Sequence, residues 1–516
     1  MTTPSIIPKP INITPLDGVF PLKANTRIEA ESGAEVVAIY LRELISAGTG
    51  FGFEIAKPSS TCAKADSICL RTVGADKSLG AEGYELKVTP EAITIRAPEV
   101  EGLFHGVQSL RQLLPPQIED RKSAARAWDV PAMNIRDKPR FAWRGLMLDV
   151  GRHFFPISVI KKYIDLLAMH KMNVLHWHLT EDQGWRIEIK KYPKLTEIGS
   201  KRKASPLFSD KYKLDGKSYG GFYTQGEIKE VVNYAASRFV NVVPEIEMPG
   251  HSMAALASYP ELGCTGGPYE VRTFWEIEEN VYCAGNDKVF KFLEDVLEEV
   301  LELFPSRYIH IGGDECPKSM WQKCEKCQRR IAEEKLKDED ELQSYFIKRI
   351  GTFLNAKGRQ LVGWDEILQG GLAPGAIVMS WRGVDGGMEA ASQGHDAIMC
   401  PLNYTYLDYF QSEDQQHEPP AIGGFLSMEM VYEFDPAPAG LSKNLSKHIL
   451  GAQGQLWSEF IHDERLLDYM AFPRACALAE VLWTSRELCD CDDFKRRLPQ
   501  LLQRLESWNV NYRNPF

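Results

Sequence analysis

Eight short apolar segments, which follow one another after Arg140, constrain the fold of this 516-residue chain more than any other feature. Each segment ends in polar or charged residues, and amphipathic helices are predicted between the segments. Eight such units over roughly 370 residues predict a (β/α)8 TIM barrel with enlarged loops. A doubly wound parallel sheet is the alternative, but eight regular units favour closure. The predicted strands are 145–149, 173–178, 241–245, 308–312, 360–364, 376–380, 396–400 and 449–453, and the predicted helices are 157–170, 225–238, 288–304, 340–357 and 386–393.

The chain before this barrel has a different pattern. We predict a small α/β domain over residues 1–137, followed by a catalytic barrel over residues 138–516. Alternating polar and apolar residues on both sides of a Pro-Glu turn indicate a β-hairpin, and apolar residues at helical spacing indicate two helices. The hairpin strands are 85–89 and 92–96, and the helices are 36–44 and 102–114. No catalytic constellation is evident in this part, so we expect a structural role.

Composition and charge exclude several classes of protein. The chain carries 71 acidic and 60 basic side chains, a net charge of −11, whereas a nucleic-acid-binding protein would show a basic stripe. Hydrophobic residues make up 44% of the chain and charged residues 25%, which argues against a disordered protein. No stretch reaches the roughly 18 apolar residues of a membrane span. Residues 1–5 lack the basic and apolar regions of a signal peptide, which favours a cytosolic protein unless a signal was removed.

Polar side chains follow the ends of the predicted barrel strands, where TIM barrels place their chemistry. They include several carboxylates, an arginine and three tryptophans, and no phosphate-binding glycine loop accompanies them. Indole rings can stack on the C–H faces of a sugar while charged groups bind its hydroxyls, so the set indicates a carbohydrate site. Core packing is the simpler explanation for any one tryptophan. The candidates are Asp149, Arg152, His178, Glu181, Asp182, Glu245, His251, Asp314, Glu315, Trp364, Asp365, Trp381, Trp457 and Glu459.

The adjacent pair Asp314 and Glu315 is the sharpest of these signals. Side chains alternate along a strand, so neighbouring residues face one point only where a strand ends. The preceding Gly312 and Gly313 supply the necessary backbone freedom. Two adjacent carboxylates raise the pKa of at least one of them, as a general acid near neutral pH requires. An exposed acidic turn is the alternative explanation.

A catalytic metal is a rival hypothesis for the site. His176 and His178 lie two residues apart on a predicted strand, so both imidazoles face one side, as in metal-dependent hydrolase barrels. His251 and His310 could complete such a site. Because the pair lies within an apolar run and the acids cluster elsewhere, hydrogen-bonded core histidines are favoured.

The cysteines do not predict a structural metal site. Eleven cysteines are too few for a disulfide scaffold in a chain of this length. Cys324 and Cys327 form one CxxC pair, and Cys316 could add a third ligand. A structural zinc site usually needs four ligands, and no fourth is evident. We therefore predict that the protein binds no metal.

Five longer motifs resemble one enzyme family. They are RGLMLDVGRHFFP (144–156), NVLHWHLTEDQGWRIEI (173–189), VVPEIEMPGHSMAALASYPEL (242–262), HIGGDE (310–315) and GQLWSE (454–459). Together they resemble the β-N-acetylhexosaminidases of glycoside hydrolase family 20, and the resemblance extends over essentially the whole chain. It implies an exo-acting enzyme that removes terminal β-linked GlcNAc or GalNAc from a glycan or glycoconjugate, without a cofactor.

The resemblance also implies substrate-assisted catalysis, in which the substrate's acetamido oxygen attacks C1 and gives an oxazolinium intermediate with net retention. Glu315 would be the general acid and then the base. Asp314 would hold the acetamido N–H, and Tyr406 would hydrogen-bond the acetamido oxygen. The substrate-binding residues implied are Arg152, Asp182, His251, Trp364, Trp381, Asp408, Trp457 and Glu459, with Asp182 and His251 supporting the acid.

Two details of the resemblance leave questions open. Many family members have a tryptophan on the loop after strand seven, where this chain has Ile422 or Phe425 nearby, so the wall beside the leaving group is not predicted. Cys264 and Cys283 resemble a pair that is bridged in some secreted members, which favours an exported protein, with free thiols as the alternative. A catalytically inactive carbohydrate-binding barrel is a further alternative function, and the sequence does not determine the oligomeric state.

Overall fold

A seven-stranded mixed sheet forms the first part of the structure. The computed structural model describes residues 4–57, 65–120, 127–437 and 441–516, so the first three residues of the chain lie outside the described ranges. The sheet has the strand order β1-β7-β5-β6-β4-β2-β3, and β5 and β6 form the predicted antiparallel hairpin. Its elements are β1 (Asn12–Pro21), β2 (Arg27–Ala30), α1 (Glu35–Thr49), β3 (Glu54–Ala56), β4 (Ser67–Arg71), β5 (Tyr84–Val88), β6 (Ala92–Arg96), α2 (Val100–Leu113) and β7 (Asp129–Asp137).

Eight parallel strands close into a barrel in the rest of the chain. They pair in chain order, and the last strand pairs with the first through a register that includes Gln453 opposite Gly145. This closure confirms the predicted (β/α)8 barrel and excludes the doubly wound sheet. The strands are β8 (Trp143–Asp149), β9 (Val174–His178), β10 (Asn241–Glu245), β11 (Tyr308–His310), β12 (Gln360–Trp364), β13 (Ile377–Ser380), β14 (Ala397–Met399) and β15 (Ile449–Leu456).

Helices surround the barrel, and several of them begin at a residue whose side chain caps the free N–H groups. In the second barrel helix, Thr224 and Glu227 form a reciprocal capping box. The numbered helices of this part are α3 (Ile157–Met169), α4 (Gln225–Ala236), α5 (Asp287–Leu303), α6 (Ser319–Lys323), α7 (Glu325–Glu334), α8 (Glu339–Ala356), α9 (Asp385–Ser392), α10 (Glu464–Ala471), α11 (Arg474–Trp483) and α12 (Cys491–Ser507). Short helices at Lys194–Glu197, Met253–Ser258, Leu402–Thr405, Met428–Glu433 and Lys443–Ser446 lie in the loops. Within the described ranges, none of the helices is long and apolar enough to cross a membrane.

Buried polar contacts join the mixed sheet to the barrel. The Lys171 ammonium, which precedes β9, lies 3.0 Å from the Asp137 carboxylate at the end of β7, and both side chains are fully buried. The Trp483 indole also donates to Asp137, at 2.9 Å. A buried charge is stable only when it is paired and hydrogen-bonded, so these contacts fix the position of the sheet against the amino-terminal side of the barrel.

Candidate active site

One cavity lies at the carboxyl ends of the barrel strands and has a volume of about 160 Å³. Its lining comes from the loops after seven of the eight strands, and it includes every catalytic and substrate-binding residue that the family resemblance implied except Asp182. The other candidates at the strand ends do not line it; they are Asp149, His178, Glu181, Glu245 and Asp365. A larger cavity of about 440 Å³ lies on the mixed sheet, but it has no aromatic lining. The residues that line the barrel cavity are Arg152, His251, Asp314, Glu315, Trp364, Trp381, Tyr406, Asp408, Tyr409, Ile422, Trp457 and Glu459.

A sharp turn after β11 places both acidic neighbours in this cavity. Gly312 and Gly313 have φ values of 68° and 96°, in the left-handed region that favours glycine. A Cβ atom on Gly312 would lie 1.6 Å from a carboxylate oxygen of Glu247, so no larger residue fits there. Glu315 itself has a φ of 42°, a strained value for a residue with a side chain. The turn therefore interrupts the alternation of the strand and lets Asp314 and Glu315 face the same space.

The environment of Glu315 favours its protonated form. Its side chain is 35% exposed, whereas that of Asp314 is 11% exposed. Burial and then the negative charge of Asp314 raise the pKa of Glu315 above its ordinary value. A carboxyl group with a raised pKa that faces a cavity can donate a proton to a bound molecule.

His251 connects the two acids to the barrel interior. Its Nε2 lies 3.5 Å from Asp314 Oδ2 and 3.7 Å from Glu315 Oε2, and its Nδ1 lies 2.8 Å from Glu181 Oε1. Burial would lower the pKa of His251, but the Glu181 and Asp314 carboxylates raise it well above its usual value. Asp182 does not line the cavity. It lies behind His251, 3.7 Å from Nδ1, and accepts a hydrogen bond from the Met253 amide.

Arg152 lies at the other end of the cavity among carboxylates. Its guanidinium is 3.2 Å from Asp149, 3.2 Å from Glu181 and 3.8 Å from Glu459. Burial and the charge of Glu459 raise the pKa of the nearby Asp408 well above its usual value. Within the described part of the chain, Asp408 Oδ1 and Glu459 Oε2 are buried without a hydrogen-bond partner. Such atoms are suited to bind the hydroxyl groups of a ligand.

Aromatic rings form the walls between these two ends. The Trp364 and Trp457 ring centroids are 5.8 Å apart, and the Trp381 and Tyr406 rings stack at 6.2 Å with 26° between their planes. The Trp381 indole donates to Glu366 at 2.9 Å, which fixes the orientation of that wall. The four rings enclose a flat, partly apolar space beside Asp314 and Glu315.

Of the four histidines of the metal hypothesis, His251 lines the cavity, whereas His176, His178 and His310 do not. His176 and His178 are fully buried beneath it and lie 2.8 and 2.6 Å from one oxygen of Glu245. His310 and the Trp364 indole contact the other oxygen, each at 2.9 Å. These contacts make a core network that supports the floor of the site, as the sequence favoured. Because both oxygens of Glu245 are held in this network beneath the cavity, Glu245 does not contact a ligand there.

Sequence reasoning missed several residues that shape the site. Tyr409 was not singled out although it lines the cavity. Glu247 and Glu366 were not singled out either, although Glu247 packs against Gly312 and Glu366 accepts a hydrogen bond from Trp381. Ile422 does line the cavity, from the loop on which many family members have a tryptophan, and the residue is 43% exposed. Glu247 lies inside the PEIEMPGH motif, which was the one available signal for it.

The cysteines contradict two sequence expectations. Cys264 and Cys283 are free thiols, so the disulfide that the resemblance implied is not formed, and export stays a prediction without that support. The statement that no fourth cysteine accompanies Cys324 and Cys327 was also wrong. Cys264 and Cys283 lie beside that pair, and the four sulfur atoms are within 4.8 Å of one another. Cys316, the predicted third member, is not part of this group.

Comparison with known proteins agrees with the sequence motifs. The sequence model "Glycosyl hydrolase family 20, catalytic domain" matches residues 141–486, and "Glycosyl hydrolase family 20, domain 2" matches residues 3–138. A beta-hexosaminidase of Porphyromonas gingivalis is 46% identical over 99% of this chain, and the chain spans 64% of that protein's length.

Solved structures give the same result. The GH20 β-N-acetylhexosaminidase from Streptomyces coelicolor A3(2) aligns with a TM-score of 0.85 at 34% identity, covering 99% of this chain and 97% of that one. A mutant Streptomyces plicatus β-hexosaminidase in complex with GlcNAc aligns with a TM-score of 0.85 at 35% identity, covering 99% and 96% of the two chains. The fold, the motifs and these matches together place the chain in glycosyl hydrolase family 20, to which it belongs.

Proposed function

We propose that this protein is an exo-acting β-N-acetylhexosaminidase that removes terminal, non-reducing β-linked GlcNAc or GalNAc from glycans or glycoconjugates. The observation that carries the proposal is the pair of Asp314 and Glu315 on one turn, facing a cavity walled by aromatic rings. The names of the relatives, which are beta-hexosaminidases, support the same activity. The bound GlcNAc in the Streptomyces plicatus structure supports the choice of sugar.

The size of the cavity supports exo action. Its volume of about 160 Å³ is below the roughly 300–1,000 Å³ of sites that enclose drug-sized ligands. A single sugar ring with its acetamido group suits this space better than an internal stretch of polysaccharide. Arg152, Asp408 and Glu459 at one end would bind the hydroxyl groups of that terminal sugar, and Glu315 would face its glycosidic oxygen.

In the first step, the acetamido carbonyl oxygen of the substrate forms a bond to C1 as the bond from C1 to the leaving oxygen breaks. Glu315 transfers its proton to that leaving oxygen, which departs as an alcohol. The sugar is left as an oxazolinium ring, and Glu315 is left as a carboxylate. The raised pKa of Glu315 suits the donor of this proton near neutral pH.

Asp314 and Tyr406 hold the acetamido group for this attack. The Asp314 carboxylate accepts the acetamido N–H and stabilises the positive charge that develops on the ring. Tyr406, whose pKa is raised well above its usual value by burial and by Asp408, keeps its proton and donates it as a hydrogen bond to the acetamido oxygen. Trp364, Trp381 and Trp457 enclose the acetamido methyl group and the sugar face.

In the second step, water attacks C1 from the side that the leaving group vacated. The Glu315 carboxylate takes the proton of the water, and the C1–O bond of the oxazolinium ring breaks to restore the acetamide. Two displacements at C1 give net retention of configuration. This scheme is an exception to the two-carboxylate mechanism of most glycosidases.

The positions of the other carboxylates support the use of the substrate's own nucleophile. Among the acids that the sequence places at strand ends, Glu245 and Asp365 are candidates for a carboxylate nucleophile, but neither lines the cavity. Glu245 contacts three histidines, and Asp365 lies 2.7 Å from the Arg382 guanidinium. A nucleophilic carboxylate must reach C1, and these two are held below or beside the cavity.

A stable thiazoline analogue of the proposed intermediate tests the function. It should bind far more tightly than GlcNAc, because enzymes complement the transition state rather than the ground state. Asp314→Asn should weaken its binding more than it weakens the binding of GlcNAc. Equal affinity for the analogue and for GlcNAc would contradict the proposal.

This binding experiment, together with an assay of aryl-glycoside hydrolysis, separates the enzyme from a carbohydrate-binding barrel. A binding protein would recognise GlcNAc without preference for the analogue and would release no alcohol from an aryl glycoside. The raised pKa of Glu315 favours the enzyme, since a proton donor has no role in a site that only binds a sugar.

A further inference from the structure

A buried group of four thiols lies outside the cavity and plays no part in the reaction. We define the cysteine cluster as Cys264, Cys283, Cys324 and Cys327, of which the last three are buried and the first is half-buried. The Cys283 sulfur is 3.7 Å from that of Cys324 and 3.7 Å from that of Cys327, and the Cys264 sulfur is 3.9 Å from that of Cys327. All four sulfur atoms lie within 4.8 Å of one another.

These distances match a tetrahedron of metal ligands. Zinc–sulfur bonds of about 2.3 Å place neighbouring sulfur atoms of a tetrahedral site about 3.8 Å apart. A disulfide would need a distance of about 2.05 Å. Cys283 is equally distant from Cys324 and from Cys327, and all four sulfur atoms surround one point. Four thiolates in tetrahedral geometry favour zinc among the common divalent metals.

The backbone brings the four residues together at two tight turns. Cys324 joins α6 to α7, and Cys327 lies in the first turn of α7. On the other side, the Cys283 amide donates to the Leu262 carbonyl at 2.9 Å, which places Cys264 and Cys283 side by side at the base of a long loop.

Gly285 lets the two sides approach each other. A Cβ atom on Gly285 would lie 2.2 Å from the Lys326 carbonyl carbon and 2.5 Å from the Cys327 amide nitrogen. The loop backbone therefore packs directly on the backbone of the CxxC turn. This close contact brings together ligands from two segments of the chain, whose cysteines are 41 to 63 residues apart.

We propose that the cysteine cluster binds one Zn²⁺ ion in a closed, tetrahedral structural site. The four ligands are thiolates, so the ion has no open position for water or substrate and takes no part in hydrolysis. This inference does not depend on the proposed function, because it rests on sulfur positions outside the cavity.

The zinc ion would cross-link the two loops that lie beside Asp314 and Glu315. Cys264 and Cys283 belong to the loop between β10 and α5, which also carries His251, and the CxxC turn follows the segment that carries Asp314 and Glu315. A metal ion that joins these loops would hold His251 against the acidic pair. Loss of the ion should therefore lower the melting temperature of the protein.

Metal analysis of the purified full-length chain, grown with zinc and without added chelator, tests the proposal. We expect one zinc per chain by mass spectrometry and four sulfur neighbours at about 2.3 Å by X-ray absorption. Cys283→Ser and Cys324→Ser should each lose the zinc and melt at a lower temperature. Cys316→Ser is the matched control, since Cys316 is a buried thiol in the same region but outside the cluster, and it should retain one zinc.

The wild-type protein decides the question if the serine variants do not fold. Wild-type protein with one zinc and four sulfur neighbours supports the site. Protein without stoichiometric zinc, protein with iron in its place, or peptide mapping that finds these four cysteines joined in disulfides would overturn it. Zinc that remains bound in Cys283→Ser or Cys324→Ser would also overturn it.

Discussion

Replacement of Glu315 by glutamine should separate substrates according to how much they need a proton donor. The change keeps the size of the side chain and removes the proton, and the side chain is 35% exposed, so we expect the fold to survive. A positioned acid contributes about 10²–10⁴-fold to a rate. That range corresponds to roughly 2.7–5.4 kcal/mol of transition-state stabilisation.

The full loss should appear with an alkyl leaving group, such as a second sugar, because an alkoxide leaves slowly without a proton. A dinitrophenyl leaving group departs as a stable anion, so its loss in kcat/KM should be at most about tenfold. The parameter kcat/KM is the appropriate one because it reports the first step and excludes the second, in which Glu315 acts as the base.

The pH profile provides an independent measurement of the same residue. Glu315 must be protonated in the first step, so kcat/KM should fall as the pH rises through its pKa. Burial and Asp314 raise that pKa above the ordinary 4.5, so the fall should begin at a higher pH than for a free glutamate. In Glu315→Gln, the fall should disappear for the dinitrophenyl substrate.

A Glu-to-Gln change outside the site serves as the matched control for effects of the substitution that do not involve the proton donor. Glu298 lies on α5 with its side chain 53% exposed and is paired with Lys357. Glu298→Gln should leave kcat/KM for both substrates, and its pH profile, unchanged. Equal losses for the two leaving groups in Glu315→Gln, with the pH profile intact, would refute the assignment of Glu315 as the acid.

Three further predictions follow from the same geometry. Asp314→Asn should lower kcat more than it raises KM for N-acetylglucosaminides, since an amide cannot stabilise the positive ring; an unchanged kcat would contradict this. Gly312→Ala should lower the free energy of unfolding, measured in urea, by more than Gly394→Ala does. Both positions have positive φ, but only at Gly312 would the new methyl group lie 1.6 Å from Glu247. Equal losses of free energy in the two variants would contradict the predicted clash. Initial rates should be unchanged when EDTA is present in the assay, and an immediate loss that zinc restores would revive the catalytic-metal hypothesis.

Most of the barrel could be predicted because each strand is a short apolar run that ends in polar residues. The ends of the strands were less predictable. Strand β15 continues to Leu456, beyond the predicted end at residue 453, because Gln453 and Gln455 are buried inside the barrel and bind polar partners there. Buried polar residues of this kind interrupt the apolar pattern without ending the strand. Strand β11 ends earlier than predicted, at His310, because Gly312 turns away with positive φ.

The lining of the cavity could be predicted from motifs, but its supporting contacts could not. Glu181 illustrates the difference, since it contacts His251, His178 and Arg152 from three separate segments of the chain. A sequence shows the acid and the strand end that carries it, but not which distant residues will face it. The cysteine cluster was missed for the same reason, because its two halves come from different loops.

The acetamido group of the substrate provides the most direct test of substrate-assisted catalysis. Replacing the acetyl hydrogens with one, two and three fluorine atoms withdraws electrons from the carbonyl oxygen step by step, while the leaving group and the sugar stay the same. If that oxygen attacks C1, kcat/KM of the wild-type enzyme should fall steadily along the series. A rate that does not depend on fluorination, together with a covalent glycosyl adduct on a carboxylate of the protein, would contradict the mechanism.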